Sequence, residues 1–350
     1  DVYKRQNVGL DLGLFRNALT LNVDYFIKTT EDMLVKTHVP VYAGYGWDGT
    51  PWINAGTMEN KGFEFLVSYK GNIGAFTYDL SVIGTSYTNT VMSTNFDSTD
   101  IWDPFSHTIT TVGQPVGSLL VFVTDGIFQT QDEVDAYVHP VTGDPIQPWA
   151  QPVDFRFKDL NGDGEIAAGA EWDDKNGGDQ TIIGNPHPKF IYGFTINLAY
   201  RGFDLMTHWQ GVIGNEIINM YKYSFNGGPN PDRDVYINAW REENPSNTYP
   251  RNTSYDQNGN FKVSDFMVED ASYLRMKNLQ LGYTLSHQLS EKLHIESCRI
   301  WIGGIDLLTF TNYSGNDPEV ALRDPTTSGY DDGWIYPKSR KIVVGINVEF

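Results

Sequence analysis

The sequence predicts an all-β chain: an antiparallel transmembrane β-barrel wall with its long loops gathered at one end. Three observations carry this. Apolar and polar residues alternate with period two along most of the chain, which gives each strand one face toward an apolar medium and one toward water. Short and long connections alternate between these stretches, the asymmetry of membrane barrels. No apolar run approaches the roughly 20 residues of a membrane helix, and the longest, such as Leu119–Val123, are strand-sized.

In order, Val8, Leu10, Leu12 and Leu14 alternate with Asn7, Gly9, Asp11 and Gly13. Arg16–Ala18 turns into Leu19, Leu21, Val23, Tyr25 and Ile27 against Thr20, Asn22, Asp24 and Lys28, a hairpin. Phe63, Phe65, Val67 and Tyr69 oppose Glu64, Ser68 and Lys70; a tight turn at Gly71–Gly74 precedes Phe76, Tyr78, Leu80 and Val82 against Thr77, Asp79 and Ser81. Phe190, Tyr192, Phe194, Ile196, Leu198 and Tyr200 turn at Arg201-Gly202 into Phe203, Leu205 and Trp209. Leu279, Leu281, Tyr283 and Leu285 oppose Asn278, Gln280, Gly282 and Thr284, and Trp301, Ile305 and Leu307 follow. The last strand sets Ile342, Val344, Ile346, Val348 and Phe350 against Lys341, Gly345, Asn347 and Glu349, with Val343 as an apolar exception. Long loops are expected at about 29–60, 125–187, 214–271 and 309–338. Parity needs either two spanning strands within 91–124 or none; a hairpin at about 107–124 is the candidate, for nine to eleven strands in all. Asp1–Gln6 shows no alternation and reads as junction residues, with 7–350 as the barrel part of a longer protein. A sandwich or propeller would alternate too, but its loops need not sort by length.

Composition agrees. The 350 residues carry 14% aromatics and 34 Gly, suited to strands and turns. A net charge of -19 opposes nucleic acid and anionic membrane surfaces. One cysteine, Cys298, leaves no disulfide framework and no Cys-based zinc site. His38, His107, His139, His187, His208, His287 and His294 form no H-E-x-x-H, and neither G-x-S-x-G nor a P-loop occurs, so no enzyme is expected.

Two constellations stand out. Asp159, Asn161, Asp163, Gly164 and Ile166 match the first half of a calcium loop, with oxygen ligands at alternate positions and Gly at the sharp turn. The closing ligand position is Ala170, so Glu171, Asp173 or Asp174 would have to substitute; Asp159, Asn161, Asp163, Glu165 and Asp173 are the candidate set for a structural calcium, and the plainer alternative is a solvated acidic turn. Trp47, Trp52, Trp102, Trp149, Trp172, Trp240 and Trp334 lie outside the predicted strands. Of these, Trp47, Trp52, Trp102, Trp240 and Trp334 are the candidates for stacking on sugar rings; the alternative is that they pack the loops together. Tyr25, Tyr69, Tyr200, Phe203 and Phe350 suit an interfacial girdle.

Several stretches, in this order, resemble a known family: Asn54-Ala55-Gly56 with Asn60-Lys61-Gly62-Phe63-Glu64; Gly113-Gln114-Pro115-Val116-Gly117-Ser118 with Asp125-Gly126-Ile127-Phe128-Gln129; Lys158 to Gly164; Ile183 to Phe190 with Tyr192-Gly193; Ser272 to Leu279 with Leu281-Gly282-Tyr283; and Asn316-Asp317-Pro318-Glu319. Over nearly the whole chain this is similar to the C-terminal barrel of SusC/RagA-type TonB-dependent outer-membrane transporters of Bacteroidetes. The resemblance implies roughly the last half of a barrel of about 22 strands, without its plug domain and TonB box, and Phe350 as a barrel-insertion signal. It further implies a SusD-like surface lipoprotein, the TonB complex and outer-membrane lipid as partners, no required cofactor, and active import of an oligosaccharide or a peptide, the oligosaccharide being the expected cargo. Asn22, Asp24, Glu64, Asp79, Ser81, Asn197, Asn278, Gln280 and Asn347 would line a polar lumen for neutral cargo. The rival readings are a calcium-stabilised secreted glycan-binding β-domain and a glycosidase with two loop carboxylates.

Overall fold

The computed structural model describes residues 2–36, 52–94, 100–103, 105–169, 178–225, 233–253, 255–319, 325–333 and 336–350. Nine strands form one antiparallel sheet: β1 (Val2–Leu14), β2 (Leu19–Lys36), β3 (Trp52–Ile73), β4 (Phe76–Ser93), β5 (Phe190–Tyr200), β6 (Phe203–Ile213), β7 (Tyr273–Thr284), β8 (Ser297–Thr311) and β9 (Lys341–Glu349). Each pairs with its predecessor in this series, so the sheet is a meander with β1 and β9 at its edges. The turns explain the topology. Between β1 and β2, Phe15, Arg16 and Asn17 all have positive φ. Between β5 and β6, Arg201 (φ 49°) and Gly202 (φ 93°) are both left-handed, the two-residue geometry that matches the twist of a hairpin. A short helix, His287–Lys292, fills the connection from β7 to β8.

Register turns the alternation into two faces. One row crosses all nine strands as Leu14, Leu19, Tyr69, Leu80, Ile196, Thr207, Leu279, Gly304 and Ile342. The next row, on the opposite face, is Gly13, Thr20, Ser68, Ser81, Thr195, His208, Asn278, Ile305 and Lys341. Leu281 and Ile302 are each 49% exposed and Val344 is 68% exposed. A predominantly apolar face nine strands wide with side chains this exposed is a lipid-facing surface, since water-facing monomers do not carry one. The nine residues expected to line the lumen all fall on the polar face: Asp24 pairs with Glu64 and Asp79 with Asn197. On the same face Asp204 takes both Arg299 Nε (3.0 Å) and Nη2 (2.5 Å). Trp301 lies flat over Gly345, where a Cβ would come 2.4 Å from the indole, and its Nε1 donates to Asn347 Oδ1 at 2.8 Å.

Three boundaries differ from the sequence expectation. β1 begins at Val2, and Val2–Gln6 pair with Ile27–Glu31, so the strand starts five residues before the alternation does. β2 continues to Lys36 and β3 begins at Trp52, which narrows the loop expected over 29–60. Alternation marks where one face is apolar, not where backbone pairing ends; a bulge at Asp32 (φ 54°) also breaks the period. The candidate hairpin at 107–124 belongs to a separate four-stranded sheet of Ile101–Asp103, Thr108–Thr110, Ser118–Phe122 and Gln180–Ile182, so the wall passes straight from β4 to β5.

Leu281→Arg, on the apolar face, is expected to cost the full-length protein about 2–4 kcal/mol, read as a lower temperature at which its unboiled, fast-migrating gel form is lost. Gln280→Arg, one residue away on the polar face, is expected to leave that temperature unchanged. Equal effects would refute the assignment of faces.

Candidate functional site

The described parts of the β4–β5, β6–β7 and β8–β9 connections build one body with its own core. Besides the four-stranded sheet, Glu216–Asn219 pairs with Val268–Asp270 and Tyr330–Asp331, and Thr124–Ile127 with Phe155–Phe157. Leu119, Val121, Ile218, Val263 and Met267 form one buried cluster, and Phe122, Ile127, Val153, Phe155 and Phe157 another; Phe266 packs on both. Each such side chain contributes about 1.5–3 kcal/mol on burial. The β4–β5 and β6–β7 loops both supply them, so each loop buries apolar surface of the other.

Polar clamps fix the rest. Asp154 is fully buried and accepts from Arg251 Nε (2.6 Å), Asn260 Nδ2 (2.8 Å) and the Gln151 N–H (2.9 Å). Gln147 donates to Phe155 O (3.0 Å) and accepts from Phe157 N–H (2.8 Å), while Asn260 accepts from Phe155 N–H and Asn258 donates to Phe155 O. The clamp holds Val153 at φ 71°, left-handed backbone that costs a β-branched residue about 1–3 kcal/mol. Val153 N–H donates to Phe128 O at 2.6 Å, and Arg251 N–H donates to Val153 O at 3.0 Å. Elsewhere Glu269 binds Lys222 (2.7 Å) and Ser314 Oγ (2.7 Å). Burial alone would raise its carboxyl, but Lys222 and Ser314 hold it below the usual range. Arg275, 4% exposed, binds Asp317 (2.6 Å) and Glu319 (2.8 Å), pinning the β8–β9 loop to the wall.

An open cavity of about 500 Å³ lies in this loop body, between the segments around 139–149, 163–166 and 257–262. Trp149, 61% exposed, stands at its rim. Asp163 and Glu165 line it from the acidic turn and Gln257 from the facing segment. His139 fastens the turn: its Nε2 lies 3.2 Å from Gly162 O, and its ring packs on Gly164, whose φ of 90° admits no ordinary side chain. Lys262 donates to Asn258 O at 3.0 Å and sits over the Phe157 ring. Burial lowers its pKa, against the pull of Asp256 and Asp179.

The predicted site residues separate. Trp47, Trp334 and Asp173 lie outside the described residues. Trp52 opens β3 and is exposed, and Trp102 lies half-buried in the strand Ile101–Asp103, so both belong to strands after all. Trp240 is half-buried against the Phe122 cluster, its Nε1 3.4 Å from Gln129 Oε1; it packs loops rather than presenting a face. Phe350 follows β9 and is 92% exposed. In the acidic turn, Asp159 accepts the N–H groups of Gly162 (2.6 Å) and Gly164 (2.9 Å), and Asp163 accepts from Glu165 N–H (2.9 Å) and Asn161 Nδ2 (2.8 Å). The Glu165 N–H and the Asn161 amide keep the Asp163 carboxyl below the usual range. Among the described residues no group of three or more His, Cys, Asp or Glu is placed to hold a metal ion. Sequence reasoning missed His139, Gln147 and Gln257, and no motif marks them.

A membrane-facing strand wall topped by a folded loop body defines an outer-membrane β-barrel of the receptor class. No protein-family model matches the chain. It is 30% identical over 99% of its length to TonB-dependent receptor P3 of Formosa agariphila, and 25% identical over 98% to TonB-dependent receptor SusC of Bacteroides thetaiotaomicron. It covers 34% and 31% of those proteins. Among solved structures it is similar to the RagAB peptide transporter, with a TM-score of 0.77 and 23% identity over 99% of this chain and 35% of that one, and to the RagAB peptide importer in its closed-closed state, with a TM-score of 0.74. Over nearly its whole length the chain is similar to TonB-dependent receptors, SusC among them, and it spans about a third of the length of the curated relatives it matches. These relatives are outer-membrane receptors, not enzymes.

Two measurements probe the loop body. Asp154→Ala leaves Arg251 and Asn260 without their buried partner and is expected to cost about 3–5 kcal/mol, seen as faster amide exchange around Phe155 and Asn260 in the full-length protein. Glu269 has a depressed carboxyl, so its contribution is present above the unfolded value of about 4.3 and is lost as pH falls through the lower folded value. Protease sensitivity at the Ser314 and Lys222 segments is therefore expected to rise only in acid, and Glu269→Gln is expected to remove that step.

Proposed function

We propose that the protein containing this chain imports a neutral oligosaccharide across the outer membrane, driven by the TonB complex and served by a SusD-like surface lipoprotein. The polar face of the wall is the observation that carries the reading. It presents Asn, Ser, Thr and Gln in register across the strands; Arg299 binds Asp204 and Lys70 lies across from Asp79, while Asp24 and Glu64 lie side by side. Such a surface offers hydrogen bonds to hydroxyls, and the neighbouring Asp24 and Glu64 carboxylates disfavour an anionic cargo. The solved relatives of like fold belong to a peptide importer, so peptides are the control.

The test is uptake by cells of labelled neutral oligosaccharides and of mixed peptides, with and without the complete gene and with and without a protonophore. Uptake of a neutral oligosaccharide that needs both the gene and the proton-motive force is expected. Gene-dependent uptake of peptides alone would replace the cargo, and uptake indifferent to the protonophore would remove the energy coupling.

A further inference from the structure

We propose that the cavity at Trp149 is a capture subsite for a neutral saccharide, with the Trp149 indole as the stacking platform and Asp163, Glu165 and Gln257 as acceptors for sugar hydroxyls. This rests on the import reading above and places part of its specificity in the loop body.

The indole is free but its backbone is not. Gln147 and Ala150 on either side are buried, Ala150 N–H donates to Gln147 O at 3.1 Å, and the Gln147 amide is committed to the Phe155–Phe157 strand. The left-handed Val153 closes the same loop. A large aromatic face presented by so constrained a backbone is pre-organised, and pre-organisation reduces the entropy lost on binding.

The surrounding polar groups define the ligand. Asp163 uses one lone pair of each carboxylate oxygen within the turn, leaving others to accept from hydroxyls. Lys262 is engaged with Asn258 O and the Phe157 ring, and His139 with Thr142 and Gly162 O. The lining sets the carboxylates of Asp144, Asp163 and Glu165 against a single lysine, so an acidic saccharide would meet an excess of like charge. An extended peptide would dock by adding to a strand edge, but the free edge of Phe155–Phe157 is occupied by the side chains of Gln147, Asn258 and Asn260.

The experiment uses the full-length protein in detergent and measures calorimetric binding of cellohexaose, xylohexaose, mannohexaose, hexagalacturonate and a basic hexapeptide. At least one neutral hexaose is expected to bind. Trp149→Ala is expected to weaken that binding about tenfold or more, Trp149→Phe less, with the unboiled fast-migrating form retained in both. Glu165→Gln is expected to admit hexagalacturonate more readily. If the wild type binds and imports a neutral hexaose and Trp149→Ala binds it equally well, the subsite is wrong and the import reading stands. Should the wild type bind only hexagalacturonate or the peptide, or nothing, the neutral-saccharide class falls for both.

Discussion

A backbone in hydrocarbon has no water to bond, so every N–H and C=O within the membrane must find a partner in the chain. The nine-stranded meander answers that constraint, and much else follows from it. Strand pairing leaves only one choice per residue, which face its side chain takes, and the sequence alternates accordingly from Leu10 to Val348. The wall needs no core of its own. The buried apolar clusters sit instead in the loops, where Leu119, Phe122, Phe155 and Ile218 do what a globular interior does.

Legibility in the sequence divides along the same line. Wherever a strand separates lipid from the lumen, the period-two pattern reveals it: Phe65, Val67 and Tyr69 or Ile342, Val344 and Ile346 can be read directly. Val2–Gln6 and Thr29–Lys36 were not legible as strand, because pairing there is a backbone matter and the faces are not sorted. The loop body was hidden for a different reason. It is held by side chains acting on distant backbone, such as Asn260 on Phe155 and Asn258 on the same residue. A carboxamide pinned to a strand about a hundred positions away leaves no local signature.

The tryptophans show how little residue type decides without context. Trp240 and Trp149 look alike in sequence, each in a polar loop with Pro nearby. One is half-buried against the Phe122 cluster with its N–H directed at Gln129; the other is bare beside a cavity. The difference lies in what flanks them. Gln147 and Ala150 turn their side chains into the loop body and leave Trp149 only the outward direction.

The acidic turn makes the same point from the opposite side. Alternate oxygen-bearing residues with Gly at the bend are what a cation loop requires, and equally what a self-capping turn requires, because both place carbonyl and carboxylate oxygens around a small centre. In this chain the turn's own N–H groups are donated to Asp159 and Asp163, as a self-capping turn requires. The Asp163 carboxylate is thus ordered by its neighbours and turned toward the cavity that His139 also lines. Spacing identified the chemistry of the oxygens, and the fold decided which donors they would meet.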